Sequence, residues 1–217
     1  MEQDENIVDS FNKTIWRSGL SEISTETTEI TIDSFIKNGV AKELPIVKYV
    51  VGGIDIVRSL RKRSFLKKIL LFLSELKSID IDTRKEFENQ LDADPKFKRK
   101  VGSDLLMLLE KHENYEKSTI LGKIFKAYIK NDITYPMFLR MAYIIDKSFS
   151  SDIVQLPNFY ADLETLDEDS CENLYRVGLV NLIHGISDID ENKEPAGYTV
   201  KKYIPNEMGK KLVSLLS

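Results

Sequence analysis

Two histidines, His112 and His184, and one cysteine, Cys171, are the side chains of this 217-residue chain best suited to bind a metal or attack a substrate. They fall in three separate elements, with no Cys-x-x-Cys, His-x-x-x-His or comparable spacing that would turn them toward one ion. Gly52 and Gly53 sit in "VVGGID" with no nucleotide fingerprint around them, and no glycine-rich loop leads into a helix with a lysine. Asp188, Asp190, Glu191 and Glu194 offer oxygen ligands of the kind calcium prefers. They lack the glycine and the ligand alternation of an EF-hand loop, and a solvated loop accounts for them. Catalysis usually draws on clustered titratable groups. The expectation is a non-enzymatic protein: no catalytic residue, no metal, no cofactor.

Two charge clusters are better candidates for function. Arg58, Arg61, Lys62, Arg63, Lys67 and Lys68 place six bases and no acid within eleven residues. Such a run suits an anionic surface, whether lipid head groups or a nucleic-acid backbone. The competing account is the solvated outer face of a bundle helix, balanced by acidic parts of the chain. The apolar "IVKYVVGGIDIV" just before it gives the membrane version its appeal, as an interfacial effector using residues 45–76. The same apolar residues would serve equally well as core. The second cluster is acidic: Asp162, Glu164, Asp167, Glu168, Asp169 and Glu172, with Arg176 the first base to follow. Phosphates repel such a surface, so it reads as a candidate protein contact rather than a base reader.

The elements that must position these groups are mostly helical. Phe65, Ile69, Phe72, Leu73 and Leu76 form one stripe at helical spacing. Asp94-Pro95 is a cap followed by proline, which opens a second helix. Ile120, Leu121, Ile124, Phe125 and Tyr128 share a face that stops at Asn131-Asp132. Thr134 and Pro136 then restart a helix with Phe138, Met141, Ala142, Ile145 and Phe149 inward, which predicts a helical hairpin. The character changes near Pro157. A helix begins around Asp169-Ser170; "LVNLIHGI" and "GYTVKKYI" read as strands, with Tyr198, Val200 and Ile204 facing in, and "PNEMGKKLVSLL" closes the chain as a helix with Met208, Leu212 and Leu215 or Leu216 inward. Helix, strand, wing, strand, helix is a winged-helix-like order. The fold class expected is mainly α: an acidic N-terminal arm at 1–32, a helical bundle at 33–156 and a small winged-helix-like α+β domain at 157–217.

Composition narrows the setting. A hydrophobic fraction of 42% is enough to build a core, and a lone cysteine leaves no internal disulfide framework. The start "EQDENIVDS" has no basic or apolar leader, and no apolar run nears the ~20 residues that span a bilayer. A cytoplasmic location is expected. The net charge of −4 is unevenly spread. Residues 1–45 hold 9 acids and 4 bases, residues 46–150 hold 14 and 21, and residues 151–217 hold 12 and 6. Such asymmetry points to a protein partner or a homo-oligomer, with peripheral membrane contact as the rival and nucleic acid disfavoured.

"KELPIVKYVVGGIDIVRSLRKRSFLKKILLFLSEL" and "DPKFKRKVGSDLLMLLEKHENYEKSTILGKIFKAYIKNDITYPMFLRMAYIIDKSF", about half the chain, resemble segments of uncharacterised bacterial helical proteins of similar length. Those carry a Leu-Gly-Lys-x-Phe helix, here Leu121 to Phe125, ahead of a second helix and a winged-helix-like tail. The order of elements is also similar to the abortive-infection alpha family of phage-resistance proteins. The resemblance implies a bacterial protein linked to mobile elements or phage defence, and it brings no catalytic residues.

Overall fold

The computed structural model describes residues 6–16, 20, 43–51, 60–163, 165–186 and 199–216. Among them lie ten helices and two strands. The first five helices are α1 (Ile7–Trp16), α2 (Pro45–Val51), α3 (Leu60–Leu76), α4 (Ile81–Asp92) and α5 (Pro95–Lys111). They are followed by α6 (Tyr115–Ile129), α7 (Tyr135–Lys147), α8 (Ser150–Ala161) and α9 (Glu168–Arg176), then β1 (Val180–Ile186), β2 (Thr199–Pro205) and α10 (Glu207–Leu216). The protein is mainly helical, with a small antiparallel sheet near its C-terminus. No helix among the described residues is long and apolar enough to cross a membrane. The chain divides into two compact units, Met1–Ala142 and Tyr143–Ser217.

The first unit is organised by α3 and α6. Ile69, Phe72, Leu73 and Leu76 of α3 are buried, as are Leu121, Ile124 and Phe125 of α6. Gly122 lies between them. A Cβ at that position would stand 2.7 Å from the Phe72 carbonyl oxygen and 2.9 Å from Glu75 Cβ, so only glycine allows this approach. Aromatic rings spread outward from the crossing: Phe72 meets Phe11 of α1 at 5.9 Å and Phe125 at 5.5 Å, and Phe125 meets Phe138 of α7 at 5.4 Å. Tyr128 adds an edge-on contact with Phe87 of α4 at 4.9 Å, and Phe87 lies 5.6 Å from Trp16. Tilted and edge-on pairs of this kind are worth ~0.5–1.5 kcal/mol each beyond their buried area.

Several polar groups drawn into this unit have defined partners. Asn6 Oδ1 accepts from the Val8 and Asp9 N–H groups and caps α1. Thr14 is fully buried; its hydroxyl donates to the Ser10 carbonyl at 2.8 Å and accepts from the Ile46 N–H at 3.0 Å. Thr14 thereby satisfies an amide in the first turn of α2, which has no partner within its own helix. Asp80 and Asp94 cap α4 and α5. Lys98 joins the same two helices, donating to Glu88 at 2.9 Å and to Asp92 at 2.8 Å. At the end of α6, Asn131 adopts φ 61°. The Asn131 and Asp132 amides return to the Tyr128 and Ala127 carbonyls, closing a Schellman turn.

The second unit is held by Tyr160. Its hydroxyl donates to the Leu179 carbonyl and accepts from the Asn206 N–H at 3.1 Å. Asn206 caps α10 by accepting from the Gly209 N–H at 2.9 Å, and its amide donates to the Gly178 carbonyl at 3.0 Å. A Cβ on Gly209 would collide with both Tyr160 Oη and the Leu179 carbonyl. Gly178, at φ +81°, ends α9 in a second Schellman turn and lets Leu179 follow Leu174 into the core. β1 and β2 pair antiparallel from Val180↔Pro205 to Ile186↔Thr199.

Several details differ from the expectations. The units divide at 142/143, where 156/157 was expected. Pro157 lies inside α8, where Ile153, Leu156 and Phe159 keep a buried helical stripe across it. Phe149 is 64% exposed because α7 has already ended and Phe149 precedes α8. On β2 the buried residue is Tyr203, packed 6.5 Å from Tyr175 of α9, whereas Ile204 is half-buried. Tyr198 and the Val200 side chain lie outside the described residues. The expected 1–32 arm contains α1, whose Phe11 and Ile15 are fully buried.

Replacing Gly122 by alanine should cost about 1–3 kcal/mol, the usual range for forced overpacking. Urea denaturation followed by the fluorescence of Trp16, the single tryptophan, reads this unit directly. Gly209→Ala should cost at least ~3 kcal/mol, because its Cβ would come closer to the Tyr160 hydroxyl and the Leu179 carbonyl than a Cβ on Gly122 would come to its neighbours. Early loss of amide-exchange protection in α10 and β2 would report it.

Candidate functional site

The basic run does not present one free cationic face. Arg58 lies outside the described residues. Lys67 is drawn over the Tyr115 ring, with Nζ 4.3 Å from its centroid. Lys68 is 8% exposed, and its ammonium donates to the Glu110 carbonyl at 3.3 Å, near the negative end of the α5 dipole. Burial pulls the Lys68 pKa below its ordinary value, against the raising effects of Tyr115 and Glu110. Arg61 and Lys62 remain exposed and Arg63 is half-buried. Arg61, Lys62 and Lys68 border a cleft of about 430 Å³ together with Ser64, Phe65 and Glu110. Part of the apolar stretch is core: Ile46 and Val47 of α2 are fully buried, and so is Ile69 of α3, whereas Tyr49 and Leu60 are exposed. Residues 52–57, the rest of the apolar stretch, lie outside the described residues.

The acidic cluster does lie at the surface of the second unit. Asp162, Asp167, Glu168 and Asp169 are exposed, Glu172 is half-buried, and Glu164 lies outside the described residues. Asp167 caps α9: its carboxylate accepts from the Ser170 N–H at 2.8 Å, and that bond holds its pKa below the usual aspartate range. Glu172 accepts from Arg176 at 2.6 Å, so the one base of α9 is engaged within the helix. Asp162 and Glu168 also line a cleft of about 610 Å³. Phe159, Leu166 and Cys171 add apolar and thiol groups to its lining, and the consecutive residues Lys201, Lys202 and Tyr203 of β2 line it too. The spacing of charges in sequence shows no sign of this cleft, which depends on the turn between α8 and α9 meeting β2.

The side chains best suited to chemistry have structural neighbours. His112 is 2% exposed at the end of α5, with Nδ1 3.2 Å from Ser118 Oγ of α6. His184 is exposed on β1 opposite Lys201. Among the described residues no three His, Cys, Asp or Glu side chains converge as metal ligands. The acidic loop with Asp188, Asp190, Glu191 and Glu194 lies outside them. Asp152 is 4% exposed and is bound by neutral donors, Ser151 and Ser170 hydroxyls and the Asn173 amide, which tie α8 to α9.

Cys171 is a buried thiol in the cleft lining. Burial pushes its pKa up, and the Asp167, Asp152 and Glu168 carboxylates push it further. The thiolate is the reactive form, so reactivity at neutral pH is suppressed. Labelling by iodoacetamide at neutral pH should run well over tenfold slower in the folded protein than in urea, and its rate should keep climbing above the ordinary thiol range of about pH 8.5. Equal rates with and without urea would contradict this.

Comparison with protein-family models, with curated proteins and with solved structures returns no match.

Proposed function

We propose that the protein is a non-enzymatic interaction or regulatory component that binds another protein through the acidic surface of its second unit. The observation that carries this reading is α9, which exposes Glu168 and Asp169 in its first turn while Glu172 engages its only base, Arg176. The order α9, β1, β2, α10 supports a winged-helix-like reading of the unit. In such a layout α9 is the element that would enter a DNA groove, and an acidic helix there is repelled by phosphates. Fold does not dictate function, and the same scaffold presents a protein-binding face equally well. The likeness in order of elements to the abortive-infection alpha family supports phage defence as the setting.

The rival reading, a membrane-active effector built on residues 45–76, loses support from the burial of Ile46, Val47 and Ile69, three of the apolar groups such a contact would use, and keeps the exposed Tyr49 and Leu60. Lys67 and Lys68 face Tyr115 and Glu110 rather than a lipid surface.

Quantitative capture from a lysate of the source bacterium tests the proposal. A specific partner should be recovered with the intact chain and reduced at least about tenfold by the exposed charge reversals Glu168→Lys and Asp169→Lys. Recovery of no specific partner, or equal recovery with the reversed surface, would overturn it. Salt-sensitive duplex binding at low ionic strength would replace it with DNA regulation, and cosedimentation with vesicles containing phosphatidylserine would replace it with membrane contact.

A further inference from the structure

The cleft in the second unit is bordered by Lys201, Lys202 and Tyr203 in succession. Neighbouring strand residues point to opposite faces of a sheet, so a cleft lined by three in a row is not lined by side chains of one face of β2 alone. β1 occupies one edge of β2 over the whole register. Along the other edge, alternate residues of β2 therefore turn their backbone N–H and C=O groups away from β1. Among the described residues the sheet has two strands.

We propose that this edge receives one extended segment of a partner protein as an added third strand. The proposal rests on the protein-binding reading above and gives it a place and a chemistry. Backbone hydrogen bonds to β2 supply the register, and an apolar side chain of the segment enters the cleft lined by Phe159, Leu166 and Cys171. An acidic side chain pairs across the strands with Lys201 or Lys202, which are exposed. A basic side chain faces Asp162 or Glu168 in the same cleft. A wholly acidic segment would meet like charges there, and so would a wholly basic one; a segment of mixed sign around an apolar residue fits both.

Lysines on a free edge have a simpler role, since they discourage strands from associating with copies of themselves. That role accounts for Lys201 and Lys202. It does not account for the apolar Phe159 and Leu166 or for the carboxylates of Asp162 and Glu168 in the same cleft. It also argues against a second copy of β2 as the occupant, because antiparallel apposition would bring the lysine pairs of two chains together.

Selection of phage-displayed random peptides against the full-length protein provides the probe, and the enriched peptides are then synthesised and titrated by fluorescence anisotropy. The expected peptides are extended, with an acid and a base flanking an apolar residue. They should bind saturably, and binding should weaken at least about tenfold in the Lys201→Glu/Lys202→Glu variant. N-methylation of successive peptide amides should harm binding at alternate positions, the signature of a strand ladder. Both lysines are exposed, and far-UV circular dichroism checks that the variant is folded. Absence of enrichment, binding unchanged in the double variant, or sensitivity to N-methylation without the two-residue period would each overturn strand addition. Peptides lost on Glu168→Lys and Asp169→Lys but not on reversal of the lysines would overturn it while leaving the protein-binding reading in place. Failure of partner capture as well would remove both.

Discussion

The approach of α3 to α6 at Gly122 is the contact from which the first unit is built. Backbone carbonyl, not a side-chain tip, stands 2.7 Å from where a Cβ would go, so the separation of the two helices has little room to adjust. Once Phe72 and Phe125 are set by that crossing, Phe11, Phe138 and Tyr128 have defined surfaces to pack on. Buried polar groups then fix what apolar packing leaves free. Thr14 is an example: it sits on α1 yet completes the first turn of α2, where a stranded buried amide would cost about 1–3 kcal/mol. The second unit uses the same logic with different parts. Tyr160 and Asn206 tie α8, the turn after α9 and the start of α10 into one hydrogen-bonded group, and Gly209 leaves room for it.

Much of this was legible where local chemistry and periodicity agree. Asp94-Pro95 does open α5, the α6 stripe is buried, and Asn131 does end α6 in the left-handed conformation that asparagine tolerates. α4 was overlooked because its buried face is thin: Phe87 and Leu91 are the apolar members, and the third buried residue is Arg84. α8 was obscured by Pro157, which removes one amide from the ladder but leaves the spacing of Ile153, Leu156 and Phe159 intact. Both parities of β2 carry apolar residues, so the sequence does not separate the buried Tyr203 from the half-buried Ile204. Tyr203 is the one that finds an aromatic neighbour on α9.

The candidate sites divide along the same line. Exposure of acids around the start of α9 follows from their density and from the preference of aspartate for helix caps, both visible in sequence. The fates of Lys67 and Lys68 were not visible, because Tyr115 and Glu110 lie far along the chain and reach them only through tertiary packing. Charge runs can lose members to the interior in this way without any change in composition. The cleft beside β2 was hidden for a similar reason: it needs the sheet register and the α8–α9 turn together.

Charge placement, rather than charge count, separates the functional readings. The middle of the chain holds most of the bases, yet in its densest run Lys67 and Lys68 are committed to intramolecular contacts, and Ile46, Val47 and Ile69 beside them form core. The second unit has fewer bases, but Lys201 and Lys202 lie exposed and line the same cleft as Asp162 and Glu168. An anionic polymer or a lipid surface attracts uniformly positive faces and gains nothing from those carboxylates. A polypeptide, able to place both signs and an apolar side chain within a few residues, gains from all three. A surface that combines both signs with apolar groups discriminates by pattern, which is how a protein partner is told from a generic polyanion.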